Sequence, residues 1–141
     1  MLRNLVVLVL SFVAGAVVIG LVQWVNWVLF PPPPGFDLSD PAAVERLAAQ
    51  MSVGAWVGLE LSYALGSLAC GLLIGAFAAS RPMLLAAIAG LGFTLAGLAN
   101  LAMIPTPFAM AVLTTLTYLP CTLLGAALAG RRRSSTVMAG T

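Results

Sequence analysis

The stretch NLAMIPTPF, Asn100 to Phe108, interrupts an otherwise apolar chain with two prolines, one threonine and no charge. Apolar sequence flanks it on both sides, from Met83 to Ile104 before it and from Phe108 to Ala129 after it. Pro105 cannot continue a helix, and Pro107 suits the first position of the next one, so the stretch predicts a tight reversal between two apolar helices. Thr106 is expected to cap the second helix; a contact with a ligand is its other reading. Each flanking run has roughly the 20 residues that a helix rising 1.5 Å per residue needs to cross a hydrocarbon core about 30 Å thick.

Two further runs of this kind lie upstream, Leu5 to Phe30 and Val53 to Ala79. The whole chain of 141 residues is 62% hydrophobic, with a mean hydropathy of +1.11, six arginines, no lysine and four acidic residues. A water-soluble domain of this size carries several times that charge on its surface, so the composition belongs to the membrane class. The expectation is an all-α, four-span membrane bundle forming a single domain, with spans near 5–30, 53–79, 83–104 and 108–129. An outer loop with a short helix (31–52) and a basic tail (130–141) complete it.

Arg3 before an apolar run and AGA at Ala14 to Ala16 imitate a secretory signal. The apolar sequence continues to Phe30, however, where a cleaved signal would give way to polar mature sequence, so the first run is expected to stay as an anchor. Arg3, Arg81 and Arg131 to Arg133 fall on one side of the four spans and only Arg46 on the other, which predicts cytoplasmic termini. Trp24, Trp27 and Phe30 suit an aromatic belt at the outer interface.

The outer loop has its own pattern. Pro31 to Pro34 end the first helix and favour an extended segment. Asp40 before Pro41 predicts a helix start, with the carboxylate capping free amides. Val44, Leu47, Ala48 and Met51 then recur at helical spacing opposite Glu45, Arg46 and Gln50, which predicts a short helix lying in the interface.

Glu60 is the single acidic residue inside a span, and an ionisable group there is expensive enough to mark a candidate site. Helical spacing puts Glu60, Ala64, Ser67, Gly71 and Gly75 on one stripe, with Tyr63 and threonines of the fourth span as candidate neighbours. Glu60 then either binds a cation, a proton or a partner helix, or it reaches up to water or to Arg46. Gly54, Gly58, Ser62 and Gly66 form a second small-residue face, so one face can take this chain's own helices and the other a second chain. Pro120 frees the carbonyl of Leu116 and is expected to kink the fourth span, with Thr114, Thr115 and Thr117 available to the freed backbone. Gln23, Asn26 and Asn100 are candidate hydrogen-bonding links between helices. CGLLIGAFAASR (Cys70 to Arg81) and CTLLGAALAGR (Cys121 to Arg131) align with one gap, which suggests two like-oriented hairpins.

Other chemistry is excluded. The chain has no histidine, the usual ligand for zinc and haem and the usual proton shuttle near neutral pH. Cys70 and Cys121 lie inside apolar segments, where cysteine acts as a small packing residue. No phosphate loop, paired carboxylates or nucleophile with a base is present, so no enzyme activity, metal or cofactor is expected; any lipid or pigment would be held by packing. A net charge of +2 with dispersed arginines excludes nucleic acid as a partner.

PPPPGFDLSDPAA, AGLANLAMIPTPF and YLPCTLLGAALAG together resemble a family of small, functionally uncharacterised bacterial four-span membrane proteins. That family shares a proline run followed by Gly-x-Asp-x-x-Asp-Pro, an Asn-Leu-x-x-Ile-Pro-His-Pro turn and a C-terminal Leu-Gly. The resemblance runs from Pro31 to Gly130 and implies the four-span architecture without an activity. Thr106 stands where the family's turn has histidine, so any role of that histidine does not carry over. Two functions follow as expectations: a non-catalytic subunit of a larger membrane complex, for instance one of respiratory or photosynthetic electron transfer, or a small oligomeric channel or permease built on Glu60.

Overall fold

The computed structural model describes residues 2–37, 39–104 and 106–138. It is all-α: α1 (Leu2–Leu29), α2 (Pro41–Gln50), α3 (Val53–Phe77), α4 (Pro82–Met103) and α5 (Phe108–Met138). All but α2 are long and apolar enough to cross a membrane, so the chain is a multi-pass membrane protein. Asn4, in the first turn of α1, donates to the Ser80 hydroxyl and carbonyl and accepts from the Ala79 amide. The start of α1 and the α3–α4 turn therefore share one end of the bundle, the terminal end; α2 and the α4–α5 turn share the other, the loop end.

Helix boundaries follow local chemistry. α1 stops before the prolines at 31–34, which lack the amide a helix needs. α3 ends at Phe77, two residues short of the expected Ala79, because Ala78 to Arg81 form a tight turn in which Arg81 takes the left-handed conformation (φ 50°). α5 runs on through the arginines to Met138, beyond the expected Ala129, since nothing in that basic stretch breaks a helix.

α3 is the central element. It packs most extensively on α5 and next on α1, α4 packs mainly on α5, and α1 makes no contact with α5. The two expected hairpins, α1 with α3 and α4 with α5, thus meet along α3 and α5, which run in the same direction.

Lipid supplies no hydrophobic drive between helices, so close backbone approach has to hold such a bundle. Glycine makes that approach possible on two sides of α3. Toward α1, a Cβ on Gly15 would lie 2.8 Å from the Gly66 carbonyl oxygen, and one on Gly66 would lie 2.6 Å from the Gly15 oxygen. Toward α5, a Cβ on Gly75 would lie 2.5 Å from the Ala126 oxygen, while Gly71 abuts the Thr122 carbonyl and Gly125 the Leu68 carbonyl.

Gly54 and Gly58 complete the α1 side, against Phe30 and Asn26. The expectation that one small-residue face would be left for a second chain is therefore corrected: α1 covers Gly58 and Gly66, Phe30 lies against the exposed Gly54, and α5 covers Gly71 and Gly75. What α3 leaves exposed is a stripe of large residues, Val57, Leu61, Leu65 and Leu72.

Four aromatic rings, one from each span, join these contacts in the interior. Phe12 stacks on Phe93 with centroids 4.1 Å apart, Phe93 on Tyr118 at 6.1 Å, and Tyr118 tilts against Tyr63 at 5.3 Å. The terminal half below them is filled by small and compact side chains, with Cys70, Ile74 and Ala86 wholly buried.

Gly71→Val is expected to weaken the α3–α5 pair by about 1–3 kcal/mol, the usual cost of overpacking. Gly20→Val, at an exposed site with nothing within 4 Å, is expected to leave stability unchanged. Unfolding midpoints in detergent for the two variants check this; equal midpoints would refute the packing assignment.

Candidate functional site

The loop-end half holds a cavity of about 300 Å³. Its roof is α2. Asp40 caps that helix, its carboxylate accepting from the Ala42 amide at 3.0 Å ahead of Pro41 in the first turn. Val44, Leu47, Ala48 and Met51 face down into the cavity, and Glu45, Arg46 and Gln50 are exposed above it. The amphipathic pattern thus orients the roof.

Phe36, which helps to close the roof, packs edge-on against Trp27 at 6.2 Å. Beside it, the Ser39 backbone amide (2.8 Å) and hydroxyl (2.7 Å) both donate to Asp37. Those two donors hold the Asp37 carboxyl below its ordinary 3.8.

The walls come from the first and second spans. Asn26 donates to the Ala55 carbonyl at 3.0 Å, and Gln23 to the Ser62 hydroxyl at 3.4 Å. Gly58 is what admits Asn26, since a Cβ there would overlap the Asn26 side chain. Gln23 and Asn26 are therefore links between α1 and α3, and both also line the cavity together with Trp27, Phe30 and Trp56.

The floor is polar. Tyr63 and Thr114 line it, while Asn100 and Thr106 line the cavity nearer the loop end, and the Tyr63 hydroxyl meets the Asn100 side chain. Thr114, on α5, donates its hydroxyl to Glu60 Oε1. The other carboxyl oxygen, Glu60 Oε2, is buried without a hydrogen-bond partner, as is the Ser67 hydroxyl further down the same stripe. Glu60 thus sits directly behind Thr114, one hydroxyl away from the cavity.

Several expectations change here. Arg46 does not reach Glu60; it pairs with Asp40 at 3.5 Å, and both side chains are well exposed, because α2 turns its polar face away from the bundle. Thr106 does not cap α5: its hydroxyl donates back to the Ile104 carbonyl at the end of α4. The first helical bond of α5 runs from the Ala111 amide to the Pro107 carbonyl, so Pro107 stands just outside the helix and α5 starts at Phe108. Pro105 lies outside the described residues.

Pro120 sits within a continuous α5 on an exposed face. None of the nearby threonines turns to the Leu116 carbonyl. Thr115 and Thr117 bond the carbonyls of Ala111 and Leu113, and Thr114 is engaged by Glu60.

Of the predicted site residues, Glu60 and Tyr63 come together at the floor, joined there by Thr114, with Asn100 against the Tyr63 hydroxyl nearer the loop end. Ser67 stays in the packed core, and the glycines serve helix packing. Trp56 and the Phe36 closure had no local signal in the sequence, since an aromatic near a span end reads equally as an interfacial anchor. Among the described residues, no three His, Cys, Asp or Glu side chains gather to hold a metal ion.

Comparison with known protein families, with curated proteins and with solved structures finds no match for this chain.

Thr114→Val removes the one donor to Glu60 and is expected to destabilise the protein by about 1–3 kcal/mol, while Thr114→Ser retains the bond and most of the stability. Unfolding midpoints for the pair test this. At Asp37 the sign is that of a depressed carboxyl: its turn is stabilised above the unfolded-state value and loses that stabilisation as pH falls through the lower folded value. A carboxyl-carbon titration by NMR should give a midpoint below 3.8, and Ser39→Ala should raise it.

Proposed function

We propose that this protein is a small, non-catalytic permease that binds a cation or proton at Glu60 from the loop-end cavity. The observation that carries the reading is the floor itself: a carboxylate within a membrane span, engaged by one hydroxyl that lines a cavity. Arg46, on the same side of the bundle, pairs with Asp40 and not with Glu60. A carboxylate left uncompensated inside a membrane is costly, and in membrane proteins such groups mark ion and proton pathways. The packed aromatics and the terminal half below Glu60 close the route onward. The cavity is then the binding half of a transport cycle that a helix rearrangement or a second copy completes.

We read the membrane as a bacterial cytoplasmic one, with both termini inside and α2 outside. The arginine distribution supports this orientation. The resemblance of the loop and turn motifs to small bacterial four-span proteins supports the membrane type.

One observation favours a second reading, as an accessory subunit of a larger membrane complex. α1 is the least buried span, and its outer face is a continuous run of valine and leucine, including Val6, Val9, Leu10, Val13, Val17 and Leu21. A partner helix fits there as well as lipid does.

Reconstitution into liposomes with a proton- or potassium-sensitive dye separates the two readings. The permease predicts flux that Glu60→Gln lowers at least about tenfold, the size of effect expected when a partly buried charge facing a cation is lost. Absence of flux, together with stoichiometric co-migration with a large complex from native membranes, would overturn it in favour of the subunit.

A further inference from the structure

We infer that the loop-end cavity accommodates one amphipathic organic cation, a single ring carrying a short substituted-ammonium arm. This rests on the reading of Glu60 as a cation site and adds the class of the ligand. Three observations point the same way.

The first is the walls. Five aromatic side chains from three segments line the cavity: Trp27 and Phe30 near the end of α1, Phe36 in the loop, and Trp56 and Tyr63 on α3. Rings in this number give an ammonium group π faces to lie on, and tryptophan is the strongest of them in this role.

The second is the charge that the cavity presents. Gln23 and Asn26 spend an N–H on α3, and Thr114 spends its hydroxyl proton on Glu60. Thr106 spends its own on the Ile104 carbonyl. Gln23 and Asn26 each keep one N–H and an oxygen toward a ligand, whereas Thr106 and Thr114 keep only oxygen lone pairs. No arginine lines the cavity, and the nearest formal charge behind the floor is the Glu60 carboxylate. An anion would meet the Glu60 charge with no arginine to offset it; a cation meets that charge and the threonine lone pairs.

The third is the roof. Val44, Leu47, Ala48 and Met51 present only hydrocarbon, which suits the apolar part of the ligand while its charged end is directed to the floor. The volume of about 300 Å³ is at the small end of ligand sites and excludes a whole phospholipid.

The test uses the full-length protein in phosphatidylcholine nanodiscs, titrated with benzyltrimethylammonium, its neutral carbon isostere and benzoate, and followed by tryptophan fluorescence. The expected result is saturable binding of the cation at least about tenfold tighter than either analogue. Glu60→Gln should abolish that preference, and Trp56→Leu should weaken the cation. Glu60→Asp and Phe36→Leu, milder changes, keep the test valid if either of the first two fails to fold; Glu60→Asp should retain the preference and Phe36→Leu reduce it. Equal binding of the cation and its isostere would overturn the inference and leave an apolar pocket. If no organic cation binds but Glu60-dependent proton or potassium flux persists, the ligand class falls while the permease reading stands. Cation binding indifferent to Glu60→Gln would sink both.

Discussion

The rest of the structure depends on α3 lying against two neighbours at once, backbone to backbone. In lipid, apolar side chains gain little by leaving hydrocarbon for hydrocarbon, so association has to come from dispersion, weak Cα–H contacts to carbonyls and a few polar links. Glycines on two sides of α3 bring the Gly15 and Thr122 carbonyls against its backbone. Once α1 and α5 are seated there, the direction of every other side chain on α3 is fixed. Glu60 is turned toward α5 and Tyr63 toward α4, and the large aliphatics turn outward.

The same constraint divides the bundle into unlike halves. Toward the terminal end the helices meet through glycine, alanine, Cys70 and Ile74, which leave little room. Toward the loop end Trp27, Phe30, Trp56 and Tyr63 take over as the facing residues, and rings that do not interdigitate leave a space under α2. The aromatic stack from Phe12 through Phe93 and Tyr118 to Tyr63 marks the boundary. Polar groups follow this division. Among those with partners, Gln23, Asn26, Asn100 and Thr114 cluster on the open side, where one helix can satisfy another without leaving a group bare in hydrocarbon.

The spans, the short helix between them and the sense of its amphipathic face were legible in the sequence, because length, proline position and periodicity are local properties. So were the Asp40 cap and the isolation of Glu60 on a small-residue stripe. Partner identity was not. Periodicity gives the angle of a residue around its own helix but not which helix stands at that angle, so Glu60 could not be assigned to Thr114 nor Arg46 to Asp40. Nor could the two glycine faces be assigned to α5 and α1. The turn at Thr106 misled for a different reason: a hydroxyl both donates and accepts, and here the free carbonyl at the end of α4 takes its proton.

The reciprocal approach of Gly15 and Gly66 has a mechanical consequence. It lies midway along α1, with Asn4 latched to the α3–α4 turn on one side and Asn26 bound beside the cavity on the other. Each arm spans 11 residues, about 16 Å at helical rise, so a 10° tilt about that crossing carries the loop end of α1 by about 3 Å. The glycine pair is therefore a fulcrum and α1 a lever pinned at both ends: rocking on that scale would break the Asn4 and Asn26 hydrogen bonds, so these two side chains hold the width of the cavity mouth.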